Sequence, residues 1–301
     1  MSTFLQLTVS GVALGCLLAL VALSFMIVIK ATGVFNLLQG AFVLVGAYLV
    51  YNAQVTWGLP FVVAIIVAVA ACAVLGILLD RFAFRGMTRR GTGEIGVLAI
   101  LLAAIGLLTV SQALVVSIWG PLTLSINDPW GLDTVRIGSV AITQRDIAVI
   151  VISLVLLAAF YLLIQRTRIG VAMRATASDP EAARAQGINP TVVSSVAWAC
   201  AAVAGVLAGT MFATEVGGGV VPTLDQVAFA ALPALILGGA GSLVGCVAGG
   251  VLLGLLQTYS AGYAPDAFGA GFATTVPWIL MILLLVVKPT GLFGAREIRR
   301  A

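Results

Sequence analysis

The sequence predicts an all-α polytopic membrane protein, a bundle of about nine membrane-crossing helices with the amino terminus outside and the carboxy terminus cytoplasmic. Three observations carry that expectation. Of the 301 residues, 61% are hydrophobic and only 9% are charged, too few charges to cover a water-facing surface, so the outer surface faces lipid. The charges cut the chain into long neutral stretches, 1–29, 31–79, 95–127, 147–165, 185–214, 226–265 and 267–287. The basic residues, finally, fall almost wholly on one side of the topology those stretches define.

A crossing takes about 20 residues. Each stretch therefore spans a bilayer once, and 31–79 and 226–265 span it twice, with turns near Tyr51–Pro60 and near Gly238–Ser242. The first stretch is a retained crossing rather than a secretory signal, because no Lys or Arg precedes Lys30 and residues 5–29 outrun a signal's apolar region. Residues 223–241 hold Pro233 and a glycine cluster and would equally suit a re-entrant hairpin. Parity counts them as a short, broken crossing, since otherwise the tail with Arg296, Arg299 and Arg300 would lie outside.

Nine crossings put the segments around 80–94, 165–190 and 289–301, together with Lys30, on one side. Of the 15 Lys and Arg, only Arg136 and Arg145 fall on the other, which holds Asp128, Asp133, Asp146, Glu215, Asp225 and Asp266. The basic side is cytoplasmic by the positive-inside rule, so the net charge of +4 reports topology and not nucleic-acid binding. The chain is read as a single transmembrane domain over 1–301 in the plasma (inner) membrane.

Cys16, Cys72, Cys200 and Cys246 sit in apolar runs without ligand spacing and are packing residues; no metal site or disulfide is expected. Glycines four apart, Gly205 with Gly209, Gly241 with Gly245 and Gly249, and Gly250 with Gly254, line helix faces that let backbones approach. Two outer loops exceed what a turn needs. Trp119–Arg145 alternates Val135, Ile137, Val140 and Ile142 as a short hairpin would, and Glu215–Asp225 is glycine-rich; either can receive a partner or simply connect. After Val287, proline and glycine in Lys288-Pro289-Thr290-Gly291 stop the last helix.

The longest inner segment, 165–190, is built to hold a short helix. Ser178 and Glu181 have capping-box spacing, Pro180 suits the first turn, Ala182, Ala183 and Ala185 favour helix, and Gly187 suits a left-handed stop. Flanked by Arg174 and Arg184, with Asp179 and Glu181 at its start, this helix can dock in a cytoplasmic partner and move with it. A solvated basic loop is the plainer alternative. The chain has no G-x-x-x-x-G-K-[ST] run and only Lys30 and Lys288 as lysines, so it cradles no nucleotide and has no catalytic site of that kind. Its acids sit at the ends of the spans, unlike the buried ionisable groups expected of a secondary transporter. Energy comes from a separate subunit, or the chain is an energy-independent channel for a small solute.

The residues resemble the permease family of the high-affinity branched-chain amino acid ABC importers over nearly the whole chain. The likeness lies at Gly33–Gly40, Asp80–Arg85, Thr167–Ile188, Gly205–Gly209, Leu237–Ser242 and Lys288–Leu292. It implies a second related permease, two cytoplasmic ATP-binding subunits that hold the ATP and Mg, and an extracytoplasmic solute-binding protein, with Pro180–Gln186 as the coupling helix. The solute implied is a branched-chain or other hydrophobic amino acid. The family pattern Asn-Phe-Ala-His-Gly-Glu is met here by Asn36-Leu37-Leu38-Gln39-Gly40-Ala41. If Asn36, Gln39 and Gly40 line the pathway, the missing carboxylate makes an amide, a urea-like compound or a small carboxylate the alternative solute.

Overall fold

In lipid every backbone N–H and C=O must be satisfied within its own segment, so the apolar runs fold as helices. The computed structural model describes residues 2–33, 35–90, 94–130, 133–137, 140–215, 218–239, 241–265, 269, 271–288 and 291–293. Helix α1 spans Ser2–Thr32, α2 Gln39–Val55 and α3 Phe61–Leu79; a π-helical turn, Asp80–Phe84, leads into α4, Arg85–Arg90, and α5 follows at Glu94–Trp119. Strands β1 (Thr134–Ile137) and β2 (Val140–Thr143) form the antiparallel hairpin that the alternating residues predict, with Val135 opposite Ile142. Beyond it come α6 (Gln144–Arg166), α7 (Arg168–Ser178), α8 (Pro180–Ala185) and α9 (Pro190–Ala213). The last four are α10 (Gln226–Ala230), α11 (Leu232–Gly238), α12 (Leu243–Tyr263) and α13 (Phe272–Val287).

All the apolar runs are thus helical and the class is an all-α polytopic membrane bundle. Among the described residues, six stretches reach crossing length, Thr3–Thr32, Phe61–Met87, Gly96–Trp119, Gln144–Arg166, Pro190–Ala213 and Leu243–Tyr263. Helices α2 and α13 have 17 and 16 residues, and Gln226–Gly238 is broken at Ala231, just before Pro233. The first turn is tighter than Tyr51–Pro60: α2 continues to Val55, and Gly58 turns the chain with φ of 66°.

The chain forms two compact units, one of Met1–Met26, Trp130–Leu157 and Ala230–Ala301, the other of Ile27–Pro129 and Ala158–Phe229. In the first, α1 lies on α12 backbone to backbone: a Cβ at Gly11 would stand 3.0 Å from Leu255 Cα, and one at Gly15 2.6 Å from Val251 Cα. Gly250 and Gly254 return the contact, and Gly245 and Gly249 press on Gly238 and Ala234 of α11. Gly241 does not share that face. It lies in the turn before α12 begins, and a Cβ there would meet nothing within 4 Å, so the packing run starts at Gly245. Ser10 of α1 donates to Asp146 in the first turn of α6 at 2.8 Å. After α13, Leu292 N–H donates to Leu237 O at 2.7 Å, satisfying a carbonyl at the end of α11. Arg296, Arg299 and Arg300 lie outside the described residues.

In the second unit α9 packs on α2 and α3. A Cβ at Gly205 would come within 2.9 Å of Phe42 Cβ, Gly209 faces the backbone of Val43, and Gly46 faces Val206. Trp198 is the largest fully buried side chain, stacked on Phe84 at 4.8 Å and edge-on to Phe42 at 6.3 Å. The two outer loops meet: Leu124 and Val220 exchange backbone hydrogen bonds of 3.0 and 2.8 Å. Cys16, Cys72 and Cys246 are buried and Cys200 is partly buried.

Candidate functional site

Within the second unit, the inner segment 165–190 is two helices rather than one. Thr167 caps α7 by accepting from Gly170 N–H at 3.2 Å, and Gly170 lies against the carbonyls of Leu163 and Ile164. Side-chain packing forbids that approach to any larger residue. Arg174 donates from Nη1 to Ile164 O. That bond ties α7 to the end of α6.

Asp179, in extended conformation, ends α7 and starts α8. Its Oδ1 accepts from Glu181 and Ala182 N–H, each at 2.9 Å, with Pro180 at the first helical position. The cap is thus Asp179 and not Ser178, whose hydroxyl belongs to α7 and donates to Arg174 O at 3.0 Å. Gly187 takes φ of 80°. Ile188 N–H donates to Ala183 O and Gly187 N–H to Arg184 O, both at 3.0 Å, the paired bonds of a Schellman stop. Asp179, Glu181, Ala182, Arg184 and Gly187 are exposed, whereas Ala183 is buried, so α8 presents one side outward and seats Ala183 inward.

Two residues after Gly187, Asn189 caps α9 by accepting from Thr191 N–H at 3.0 Å. The first turns of α9 are then bound to the end of α3. Ser194 Oγ donates to Asp80 Oδ1 at 2.6 Å and Ser195 Oγ to Asp80 Oδ2 at 2.7 Å; Arg85 Nη2 lies 2.8 Å from Asp80 Oδ2 and donates to Thr191 O at 3.2 Å. The π-helical turn makes this possible, since Arg85 N–H bonds to Asp80 O five residues back and the two side chains share one side.

Above this knot lies a pocket of about 860 Å³, bounded by Thr32 and Gly33 at the end of α1, Asp80 and Arg85, Thr176 and Arg184 of α7 and α8, and Asn189 to Ser194. A smaller cavity of about 20 Å³ shares Thr32, Asp80 and Ser194 with it and reaches Asn36, where Phe84 and Trp198 close it. Asn36 is buried, and its Oδ1 accepts from Leu38 N–H at 2.9 Å, shaping the turn into α2. Gln39 is fully buried and neither its amide oxygen nor its nitrogen has a partner among the described residues. Gly40 rests on the chain at Asp225, where a Cβ would lie 3.0 Å from Asp225 O and 3.3 Å from Asp225 Cβ. Asp225 accepts from Gln112 of α5 at 2.8 Å.

Gly40 therefore meets Asp225 and, through it, Gln112, which sequence reasoning left in an outer loop and an ordinary span, while Asn36 lines the smaller cavity. Asp80 with Arg85 and the two serines was missed as well. Its signal is an acid and a base five apart, which matches no ordinary helical pairing, plus two serines at the head of a span 110 residues away.

The chain matches, over residues 7–287, the family described as branched-chain amino acid transport system / permease component. It is 29% identical to the high-affinity branched-chain amino acid transport system permease protein BraD of Pseudomonas aeruginosa, over 99% of this chain and 98% of that one. It is 29% identical to the corresponding LivH protein of Escherichia coli strain K12, over 99% and 97%. A probable branched-chain amino acid transport permease protein LivH of Methanocaldococcus jannaschii is 28% identical over 92% and 89%. Among solved structures, PsaBC from Streptococcus pneumoniae in complex with Fab aligns with a TM-score of 0.49 and 14% identity, covering 94% of this chain and 91% of that one.

Proposed function

The chain belongs to the branched-chain amino acid transport permease family, and on that premise we propose that it is the membrane-spanning subunit of an ABC importer moving a branched-chain or other hydrophobic amino acid. Its part is transport rather than catalysis. ATP and Mg are held by two separate cytoplasmic subunits, a second related permease completes the pathway, and an extracytoplasmic solute-binding protein delivers the ligand. The chain crosses the inner membrane nine times, amino terminus outside and carboxy terminus inside, which the one-sided arginines support.

The continuity of α8 with the head of α9 carries this reading. A helix capped at both ends, exposed at Asp179, Glu181, Ala182 and Arg184, is joined to α9 by only the four residues 186–189. Through Ser194 and Ser195, α9 grips Asp80. A push on α8 by an ATP-binding subunit is then delivered to two spans and to the walls of the 860 Å³ pocket, the cytoplasmic vestibule in this reading. The pathway continues past Asn36 to Gln39 and Gly40. An amide, a urea-like compound or a small carboxylate is the second solute class, favoured by Gln39 and Ala41 in place of ionisable groups.

Vesicles rebuilt with this chain, its partner permease, the ATP-binding subunits and the solute-binding protein test it. Labelled leucine accumulates only with ATP inside the compartment facing α8. Equal entry without nucleotide would show a channel, and selective uptake of an amide or carboxylate would move the solute class.

A further inference from the structure

Asp225 is a buried carboxylate immediately before α10. It is 1% exposed, and among the described residues no Lys or Arg pairs with it. One oxygen, Oδ2, accepts from Gln112; the other, Oδ1, is buried and has no partner among the described residues. Gln112 lies seven residues inside the outer end of α5, about 10 Å below it at helical rise. Leaving a charge there half satisfied is costly, and such groups persist in spans where they serve a solute or ion path.

A second observation comes from another helix. Gln39 is fully buried and neither of its amide atoms has a partner among the described residues, and the next residue, Gly40, is the one that lies against Asp225. Any side chain at 40 would push Asp225 away from the first turn of α2. A donor, an acceptor and a carboxylate oxygen thus stand unsatisfied within one stretch of the same unit. Two such buried polar groups, contributed by separate elements, supply the convergent donors and acceptors that a solute site needs.

We propose that Asp225, Gln39 and Gln112 form the point where the permease itself recognises its solute. Asp225 Oδ1 accepts from a primary ammonium group, and the Gln39 amide takes the polar group next to it, such as a carboxylate. This rests on the amino acid importer reading above and deepens it. Asp225 brings a carboxylate to Gly40 of α2 from a different part of the chain. No ammonium-lacking solute meets both demands: a carboxylate is repelled by Asp225, and urea or an amide leaves its charge uncompensated.

The test uses the assembled importer in vesicles, with this chain freed of its four cysteines and Gln39→Cys added. Labelling is measured with a cationic (trimethylammonium) and an anionic (sulfonate) methanethiosulfonate, without nucleotide and in an ATP-trapped state. Position 39 is expected to react in at least one state, about tenfold faster with the cationic reagent. That preference vanishes when Asp225→Asn is added, and leucine slows the reaction. Failure to react in every state, or a charge preference unchanged by Asp225→Asn, overturns the proposal. In the cysteine-containing chain, Asp225→Asn is expected to cut leucine uptake at least about tenfold, and unchanged uptake overturns the proposal. Absence of leucine uptake by the unaltered importer would instead overturn the amino acid reading, and the labelling arm then decides Asp225 by itself.

Discussion

Ser194 donates to Asp80 at 2.6 Å and so fastens the first turns of α9 to the residue that follows α3. The bond joins residues 114 apart in sequence at the point where the inner segment re-enters the membrane. Asp80 is 4% exposed and Arg85 24%. Removing the carboxylate therefore leaves a guanidinium with little water to turn to. Asp80→Ala should destabilise the protein by about 3 kcal/mol, and Ser194→Ala by about 1 kcal/mol, because Ser195 still holds Asp80. Thermal unfolding of the purified protein reads both; equal midpoints for the two variants would contradict the ranking.

Small residues set how closely the spans approach. Gly209 faces the backbone of Val43 and Gly205 the Cβ of Phe42, so Gly209→Leu and Gly205→Val must part α9 from α2. Each should cost about 3 kcal/mol and lower the yield of folded protein in size-exclusion chromatography. Gly241→Ala meets no atom within 4 Å and should leave yield and unfolding temperature at the parental value.

The two sides of α8 predict opposite outcomes for adjacent alanines. Ala182 is exposed and Ala183 is 4% exposed. Ala182→Glu should keep the unfolding temperature while reducing ATP-driven uptake about tenfold, by placing a like charge beside Glu181 on the docking side. Ala183→Glu buries a charge and should unfold the segment first, costing about 3 kcal/mol. Gly187→Val forces a β-branched residue to φ of 80° and should cost about 1–2 kcal/mol. Uptake and unfolding measured on the same preparations separate these effects.

The extent to which this fold is legible in sequence follows from which forces are local. Charge-free runs mark the helices because lipid penalises each polar residue separately, and the alternating Val135, Ile137, Val140 and Ile142 mark the hairpin by period alone. The α8 stop is equally local, since Gly187 alone tolerates the left-handed turn. The cap shifts from Ser178 to Asp179 because Ser178 is consumed by α7, whose own start depends on Thr167 and on Gly170 fitting against Ile164. Asp225 is illegible for a stronger reason. In sequence it stands between neutral stretches like any loop acid, and only Gln112 and Gly40, 113 and 185 positions away, bring it to membrane depth.

The orientation admits a direct check. The coupling reading requires α8 to face the ATP-binding subunits and the β1–β2 hairpin to face the solute-binding protein, on opposite sides, and a single crossing lies between them: α6 alone connects Thr143 to Arg166. Ala182 and Val135 are both exposed, so single cysteines there, in a chain lacking the native four, report the two sides. A membrane-impermeant maleimide should label Val135→Cys in intact cells and Ala182→Cys only in inverted vesicles. One crossing by a 23-residue helix leaves no third arrangement: reversal of both results would turn the molecule over and detach α8 from any cytoplasmic motor, and labelling of both from one side would remove α6 from the membrane.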